Sequence, residues 1–238
     1  MNKIIFKAIN KDQYDTFLKP VPASTLLPSW WREQTPYTVS PDNPDGKKII
    51  LNDKQVNTTF KKCTPLLDAL TSGYIIPLWT DILVRQVNGN PEISWRTNQS
   101  VFSLHGKVFK EIVTPKGYSD VVFKYGNTWI PITPTGYSIF VTPPSGYNNS
   151  PFRAVPGIID TDRSTIEFAP PMWIKEGFEG IVEKGTPLVQ ITPFKRENWK
   201  SETTFYEDNE FEKVQERNFN SNIVNHYIKN VWTKKSYK

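Results

Sequence analysis

The residues best suited to chemistry in this sequence are two carboxylates, Asp160 and Asp162, at the end of a loop rich in proline and glycine. Residues two apart on a strand share a face, so the pair could form an active site. One such pair binds Mg²⁺ poorly without substrate phosphates, and no metal site is predicted. A structural role is the favoured interpretation, in which the carboxylates accept backbone hydrogen bonds and pair with Arg153 or Arg163.

Other catalytic arrangements are missing from the sequence. It contains no Gly-x-Ser-x-Gly elbow, no phosphate-cradling Gly-Lys-Ser/Thr loop and no Gly-x-Gly-x-x-Gly motif. The single cysteine, Cys63, rules out an internal disulfide, and two histidines give no recognisable zinc spacing. We therefore predict no cofactor and favour a protein that is not an enzyme.

The charge of the chain is modest, with a formal net charge of +5 over 238 residues. Basic residues concentrate near the C-terminus, where Lys234 and Lys235 could touch a nucleic-acid backbone or an acidic partner, although such tails are more often solvated. No run approaches the twenty apolar residues of a membrane span, and no signal-peptide core is visible. We expect a soluble protein that is not secreted by a signal peptide.

The elements that must position these residues are mostly short strands. Twenty prolines and twelve glycines divide the chain into pieces too short for many helices. We predict a mainly β single domain, a jelly-roll-like or β-clip-like sandwich or barrel, with a short internal helix over residues 65–70. The predicted segments are an N-terminal strand and proline-rich arm (1–57), a β-rich core (58–199) and a C-terminal helical extension with a basic tail (200–238).

Two adjacent tryptophans, Trp30 and Trp31, lie in the proline-rich arm, where a short helical turn is predicted. Either they close over the core of the protein itself, or they present an apolar anchor to a partner. Packing against the protein's own core is the favoured interpretation, and partner binding is the alternative.

Four short motifs, "PTGYSIFV", "PPSG", "GIIDTD" and "KGTPLVQI", resemble the spaced motifs of the trimeric dUTPase and dCTP deaminase superfamily. The resemblance implies that Asp160 would orient an attacking water and that Ser145 and Gly146 would bind phosphate. Pro144 stands where that family has an arginine, and it offers no charge and no donor to a phosphate. We therefore expect the strand pattern of the family without its reaction.

Longer phrases, "KKCTPLLDALTSGYIIPLWTD", "PFRAVPGIIDTDR" and "FEGIVEKGTPLVQITPFKRENW", resemble a group of uncharacterised proteins of tailed bacteriophages, including marine phages. The resemblance implies a viral protein located in the virion or the host cytoplasm. We predict a non-enzymatic virion structural or assembly component, such as a head decoration, neck or tail-associated subunit, whose partners are other virion subunits or further copies of itself. The alternatives are a nucleotide-binding protein or hydrolase of dUTPase-like fold, and a phage protein that modulates a host protein.

Overall fold

The computed structural model describes residues 2–39, 49–51, 54–105, 114–126, 129–164, 167–207, 209–223 and 227–238. The strands are β1 (Ile5–Lys7), β2 (Val21–Pro22), β3 (Tyr37–Val39), β4 (Ile49–Leu51), β5 (Lys54–Thr58), β6 (Tyr74–Pro77), β7 (Ile82–Val87), β8 (Asn90–Trp95), β9 (Phe102–Leu104), β10 (Tyr118–Tyr125), β11 (Ile130–Ile132), β12 (Tyr137–Thr142), β13 (Phe152–Ala154), β14 (Gly157–Ile159), β15 (Pro171–Lys175), β16 (Gly180–Val182) and β17 (Pro187–Lys195). The α-helices are α1 (Lys11–Thr16), α2 (Ser29–Glu33), α3 (Thr64–Thr71) and α4 (Glu210–Ile223), and a π-helical turn covers Tyr227–Val231.

The predicted mainly β class is confirmed. A five-stranded sheet of order β14-β12-β17-β6-β2 and a four-stranded sheet of order β13-β15-β10-β9 contribute side chains to one hydrophobic core, as in a β-sandwich. All the strand pairs in these two sheets are antiparallel. No sheet of the described strands closes into a barrel. The jelly-roll-like or β-clip-like connectivity stays a prediction.

Local sequence signals set several of these elements. The hairpin between β7 and β8 turns at Asn88 and Gly89, whose φ angles of 52° and 77° are those that an Asn-Gly turn supplies at low cost. Helix α3 includes the predicted residues 65–70, and the chain leaves it at Gly73, where φ is +70°. A Cβ at Gly73 would lie 1.9 Å from the carbonyl oxygen of Ile191, so only glycine fits there.

The described chain groups into two compact units, and the predicted segment boundaries at residues 57 and 199 stay a prediction. The first contains Met1–Arg32, Ala69–Arg196 and Tyr237–Lys238, and holds both sheets of the sandwich. The second contains Glu33–Asp68 and Glu197–Ser236, with the three-stranded sheet β3-β5-β4 and helix α4. Helix α4 confirms the predicted C-terminal helical extension. In the described residues, no helix is both long and apolar enough to cross a membrane.

Candidate functional site

The two candidate catalytic carboxylates lie in a tight turn directly after β14. The carbonyl oxygen of Asp160 accepts hydrogen bonds from the backbone amides of Arg163 at 3.1 Å and Ser164 at 3.0 Å. Strand β14 pairs with β12, which fixes the start of this turn beside the neighbouring strand. The backbone therefore has the bend that the structural interpretation predicts.

Arg196, the residue after β17, forms a two-pronged ion pair with Asp162. Its Nη1 donates to Oδ1 at 2.9 Å and its Nη2 to Oδ2 at 2.5 Å. The backbone amide of Gly136 donates a further hydrogen bond to Oδ2 at 2.8 Å. The Asp162 side chain is only 2% exposed, so these bonds replace the water that the carboxylate loses on folding.

This ion pair holds Asp162 in its charged form. Hydrogen bonds from Arg196 are the largest cause that lowers the pKa of Asp162 to about 2, and the amide of Gly136 lowers it further. The same hydrogen bond raises the pKa of Arg196 above its ordinary value. A general base works best with a pKa near the operating pH, so Asp162 is poorly suited to that role.

Asp160 shares the same arginine but remains accessible, with a side chain that is 52% exposed. Its Oδ1 accepts a hydrogen bond from the hydroxyl of buried Ser138 at 2.6 Å and lies 3.2 Å from Nη1 of Arg196. Nη1 also donates to the hydroxyl oxygen of Ser138 at 2.9 Å. One oxygen of Asp160 is thus held in a polar cluster with Arg196 and Ser138.

Of the two predicted arginine partners of the acids, Arg153 contacts another residue and Arg163 acts on Asp162 only through its charge. Arg153 lies over the ring of Tyr118, with its guanidinium carbon 6.0 Å from the ring centroid. The charge of Arg163 lowers the pKa of Asp162 only as the last of its causes. Arg196 was missed because it is 34 residues from Asp162 in the chain and reaches it only through the pairing of β17 with β12.

The candidate phosphate turn, Ser145 and Gly146, already has partners within the protein. The amide of Ser145 donates to Oε1 of Gln190 at 2.8 Å, and the carbonyl of Gly146 accepts from Nε1 of Trp30 at 2.8 Å. A Cβ at Gly146 would lie 2.7 Å from Cδ2 of Leu70 and 2.9 Å from Cγ of Pro28. A phosphate at this turn would have to displace Gln190 from the amide.

Gln190 is the residue that fixes this turn, and the sequence analysis did not identify it. It lies in β17, is 2% exposed, and its Nε2 donates to the carbonyl oxygens of Ala69 at 2.9 Å and Ser72 at 2.7 Å. These carbonyls belong to the end of α3, where a helix has no backbone donors left for them. A single polar side chain thus joins the end of a helix to the Ser145 turn.

The two tryptophans follow the predicted packing against the protein itself. Trp31 is 3% exposed, which favours packing against the protein itself over the alternative of partner binding for this residue. Trp30 is 38% exposed and packs edge-on against Trp31, with ring centroids 5.8 Å apart. Trp30 is thus held by its ring neighbour and by the hydrogen bond to the candidate phosphate turn.

The basic tail is attached within its own unit. Nζ of Lys235 donates to Oδ2 of Asp68 at 2.6 Å, and Nε1 of Trp232 donates to both carboxylate oxygens of Asp68, at 3.1 and 2.9 Å. Lys234 is exposed. The predicted contact with a nucleic acid or an acidic partner therefore has to use Lys234 or compete with Asp68 for Lys235.

A cavity that the sequence analysis missed lies in the first unit, beside β14 and the acidic turn. Its volume is about 480 Å³. We call it the proline-lined cavity, because four of the residues around it are prolines. Its lining residues are Pro131, Val141, Val155, Pro156, Gly157, Ile159, Thr161, Ser164, Glu167, Phe168, Ala169, Pro170 and Pro171. Thr161 bonds to the hydroxyl of Thr133 at 2.8 Å, and Glu167 is exposed.

A second missed feature is the stretch 197–207, which we call the aromatic arm. It has no regular secondary structure, and each of its residues is exposed. Trp199 is 89% exposed and Phe205 is 82% exposed, whereas the ring of Tyr206 lies 5.7 Å from that of Phe211 at the start of α4. The arm thus presents two large apolar rings to solvent.

Neither the residues of these sites nor known proteins supply a ready assignment. In the described parts of the chain, no group of three or more His, Cys, Asp or Glu side chains is placed to hold a metal ion. Comparisons with protein-family models, curated proteins and solved structures find no match. The function has to be argued from the geometry.

Proposed function

We propose that this chain is a non-enzymatic bacteriophage protein that serves as a structural or assembly component of the virion, such as a head decoration, neck or tail-associated subunit. The observation that carries the proposal is the aromatic arm, with Trp199 at 89% and Phe205 at 82% exposure. An assembly subunit needs such a segment, because subunits associate by burying apolar surface that the single chain leaves in water.

Burial of the arm would contribute a favourable free energy to assembly. Full burial of a large apolar side chain contributes about 1.5–3 kcal/mol, which is what the ring of Trp199 offers at each contact. A symmetric oligomer repeats the same contact at every interface. A modest contact of this kind therefore becomes a stable assembly when many copies are present.

The state of the candidate catalytic groups supports a non-enzymatic role. Asp162 is buried in an ion pair with Arg196, and one oxygen of Asp160 accepts from Ser138. The amide of Ser145, the expected phosphate donor, is bonded to Gln190. These contacts explain the acids and the turn as parts of the scaffold, without a reaction.

The phage context of the proposal comes from the resemblance of three long sequence phrases to proteins of tailed bacteriophages. Mass spectrometry of gradient-purified particles from a phage that encodes this chain tests it. We expect the protein at a fixed copy number per particle, while an abundant non-virion protein of the same phage, measured in parallel, is depleted. The proposal would be refuted if this protein were depleted from the particles to the same extent as that control.

A further inference from the structure

We propose that Trp199 of one copy docks in the proline-lined cavity of a second copy, with Lys200 beside the Glu167 carboxylate at its rim. This inference rests on the proposed assembly function and names its partner, which is another copy of the same chain. The indole ring of Trp199 would enter the apolar cavity. The ammonium of Lys200 would meet Glu167, which carries the single carboxylate among the described lining residues.

The cavity has the size and lining that an indole ring requires. Binding pockets for small groups have volumes of about 300–1,000 Å³, and this cavity has about 480 Å³. Phe168 and the proline rings around it give flat apolar surfaces, against which an aromatic ring gains contact area. A tryptophan in a well-packed pocket is also the most frequent kind of energetic hot spot at protein interfaces.

The charges favour Trp199 over the other exposed ring of the arm. Trp199 is followed by Lys200, whose ammonium complements the carboxylate of Glu167, and both residues are exposed. Each ring has a glutamate two residues away, Glu197 for Trp199 and Glu207 for Phe205, but no Lys or Arg lies within four residues of Phe205. The indole N–H also needs an acceptor when it is buried, and Glu167 can supply one.

The exposure of the arm favours a second copy of the chain as its binding partner. In the single chain every residue from 197 to 207 is exposed, so the arm and its tryptophan are available to another molecule. Most soluble oligomers are built from identical chains, in which a contact between two different patches generates a ring or a filament. An arm that docks into a cavity is a contact of this type.

Sedimentation velocity of the full-length chain over a concentration series tests the inference through two variants. Trp199→Ala removes the ring, and Gly157→Leu adds a side chain at a residue that lines the cavity and has room for a Cβ. Each variant is expected to raise the dissociation constant of self-association about 30-fold, the value that corresponds to a hot spot of about 2 kcal/mol.

Matched controls separate the contact from general effects of mutation. Phe205→Ala removes a ring of similar exposure from the same arm, and Ile158→Phe adds bulk next to Gly157 at a residue that is 64% exposed and does not line the cavity. Both controls are expected to change the dissociation constant by less than about threefold. Circular dichroism of each variant verifies that it is folded.

A charge exchange tests the contact between copies even if Gly157→Leu fails to fold. Glu167→Lys and Lys200→Glu are each expected to weaken self-association, because each places like charges at the rim. An equimolar mixture of the two is expected to associate more tightly than either alone, since only a contact between different copies restores the opposite pair.

The inference is overturned if the wild-type chain stays monomeric, if Trp199→Ala and Gly157→Leu associate as tightly as the wild type, or if the mixture shows no recovery. These outcomes leave the proposed virion role standing, because a particle protein can assemble through another surface. That role fails separately, when the protein is missing from purified particles.

Discussion

Gln190 offers the sharpest test of how the scaffold is held together. Its side chain is 2% exposed, accepts from the amide of Ser145 at 2.8 Å, and donates to the carbonyls of Ala69 at 2.9 Å and Ser72 at 2.7 Å. The substitution Gln190→Leu keeps most of the volume of the side chain but removes all three hydrogen bonds. One backbone donor and two backbone acceptors then lose this partner, on residues that are themselves half-buried (Ser145, Ser72) or exposed (Ala69).

The expected cost follows from those three groups. A typical hydrogen bond contributes about 1 kcal/mol, and the substitution removes three of them. The free energy of unfolding should therefore fall by about 3 kcal/mol, even though leucine is more apolar than glutamine. For a chain of this size, the melting temperature should decrease by about 6–12 °C.

Urea unfolding followed by tryptophan fluorescence measures this change, because Trp30 is bonded to the turn that Gln190 holds. Thr192→Val is the matched control, since Thr192 lies two residues along the same strand and its hydroxyl makes no hydrogen bond within the described residues. The control should alter stability by less than about 0.5 kcal/mol. If Gln190→Leu behaves like this control, the three hydrogen bonds do not hold the turn, and our account of it is wrong.

Three further perturbations test other parts of the structure. The pKa of Asp162 is lowered to about 2, from about 3.9 in an unfolded chain. Its contribution to stability should therefore be complete above about pH 4 and lost as the pH falls toward 2. Arg196→Gln should move that loss to higher pH, as measured by urea unfolding at a series of pH values. Lys235→Ala should speed chymotryptic cleavage of the C-terminal segment, whereas Lys234→Ala should leave the rate unchanged, because only Lys235 is paired with Asp68. Deoxynucleoside triphosphates should give neither turnover nor a thermal shift, and turnover that is lost in Asp160→Asn would establish the nucleotide hypothesis instead.

The elements that the sequence predicts correctly are those with strong local signals. An Asn-Gly pair between two apolar runs sets the hairpin at Asn88 and Gly89, and the disappearance of glycine and proline after residue 199 marks the helical C-terminal region. Helix α1 was not predicted, because it is only six residues long, although Asn10, which accepts from the amide of Gln13, is a capping signal. Short helices of this kind carry too little periodicity to be recognised.

The parts of the site that the sequence did not reveal depend on pairing between distant strands. Asp162 and Arg196 meet because β12 pairs with β17 in a register that places Tyr137 opposite Lys195. No local pattern specifies that register. Gln190 had a visible signal, since it is a polar residue in the otherwise apolar run "PLVQI", but its partners at the end of α3 could be named only from the fold.

The place where the aromatic arm leaves the first unit determines how that unit would respond to mechanical load. The arm begins directly after Arg196, whose amide donates to the carbonyl of Gly136 at 2.8 Å and whose guanidinium is bonded to Asp162. Tension applied through Trp199 would enter the fold at this residue and pass into β17, which is paired with β12 on one side and β6 on the other. The strand behind the arm is thus a central one, so a pulled arm would have to break hydrogen bonds on both edges of β17 before that strand left the sheet.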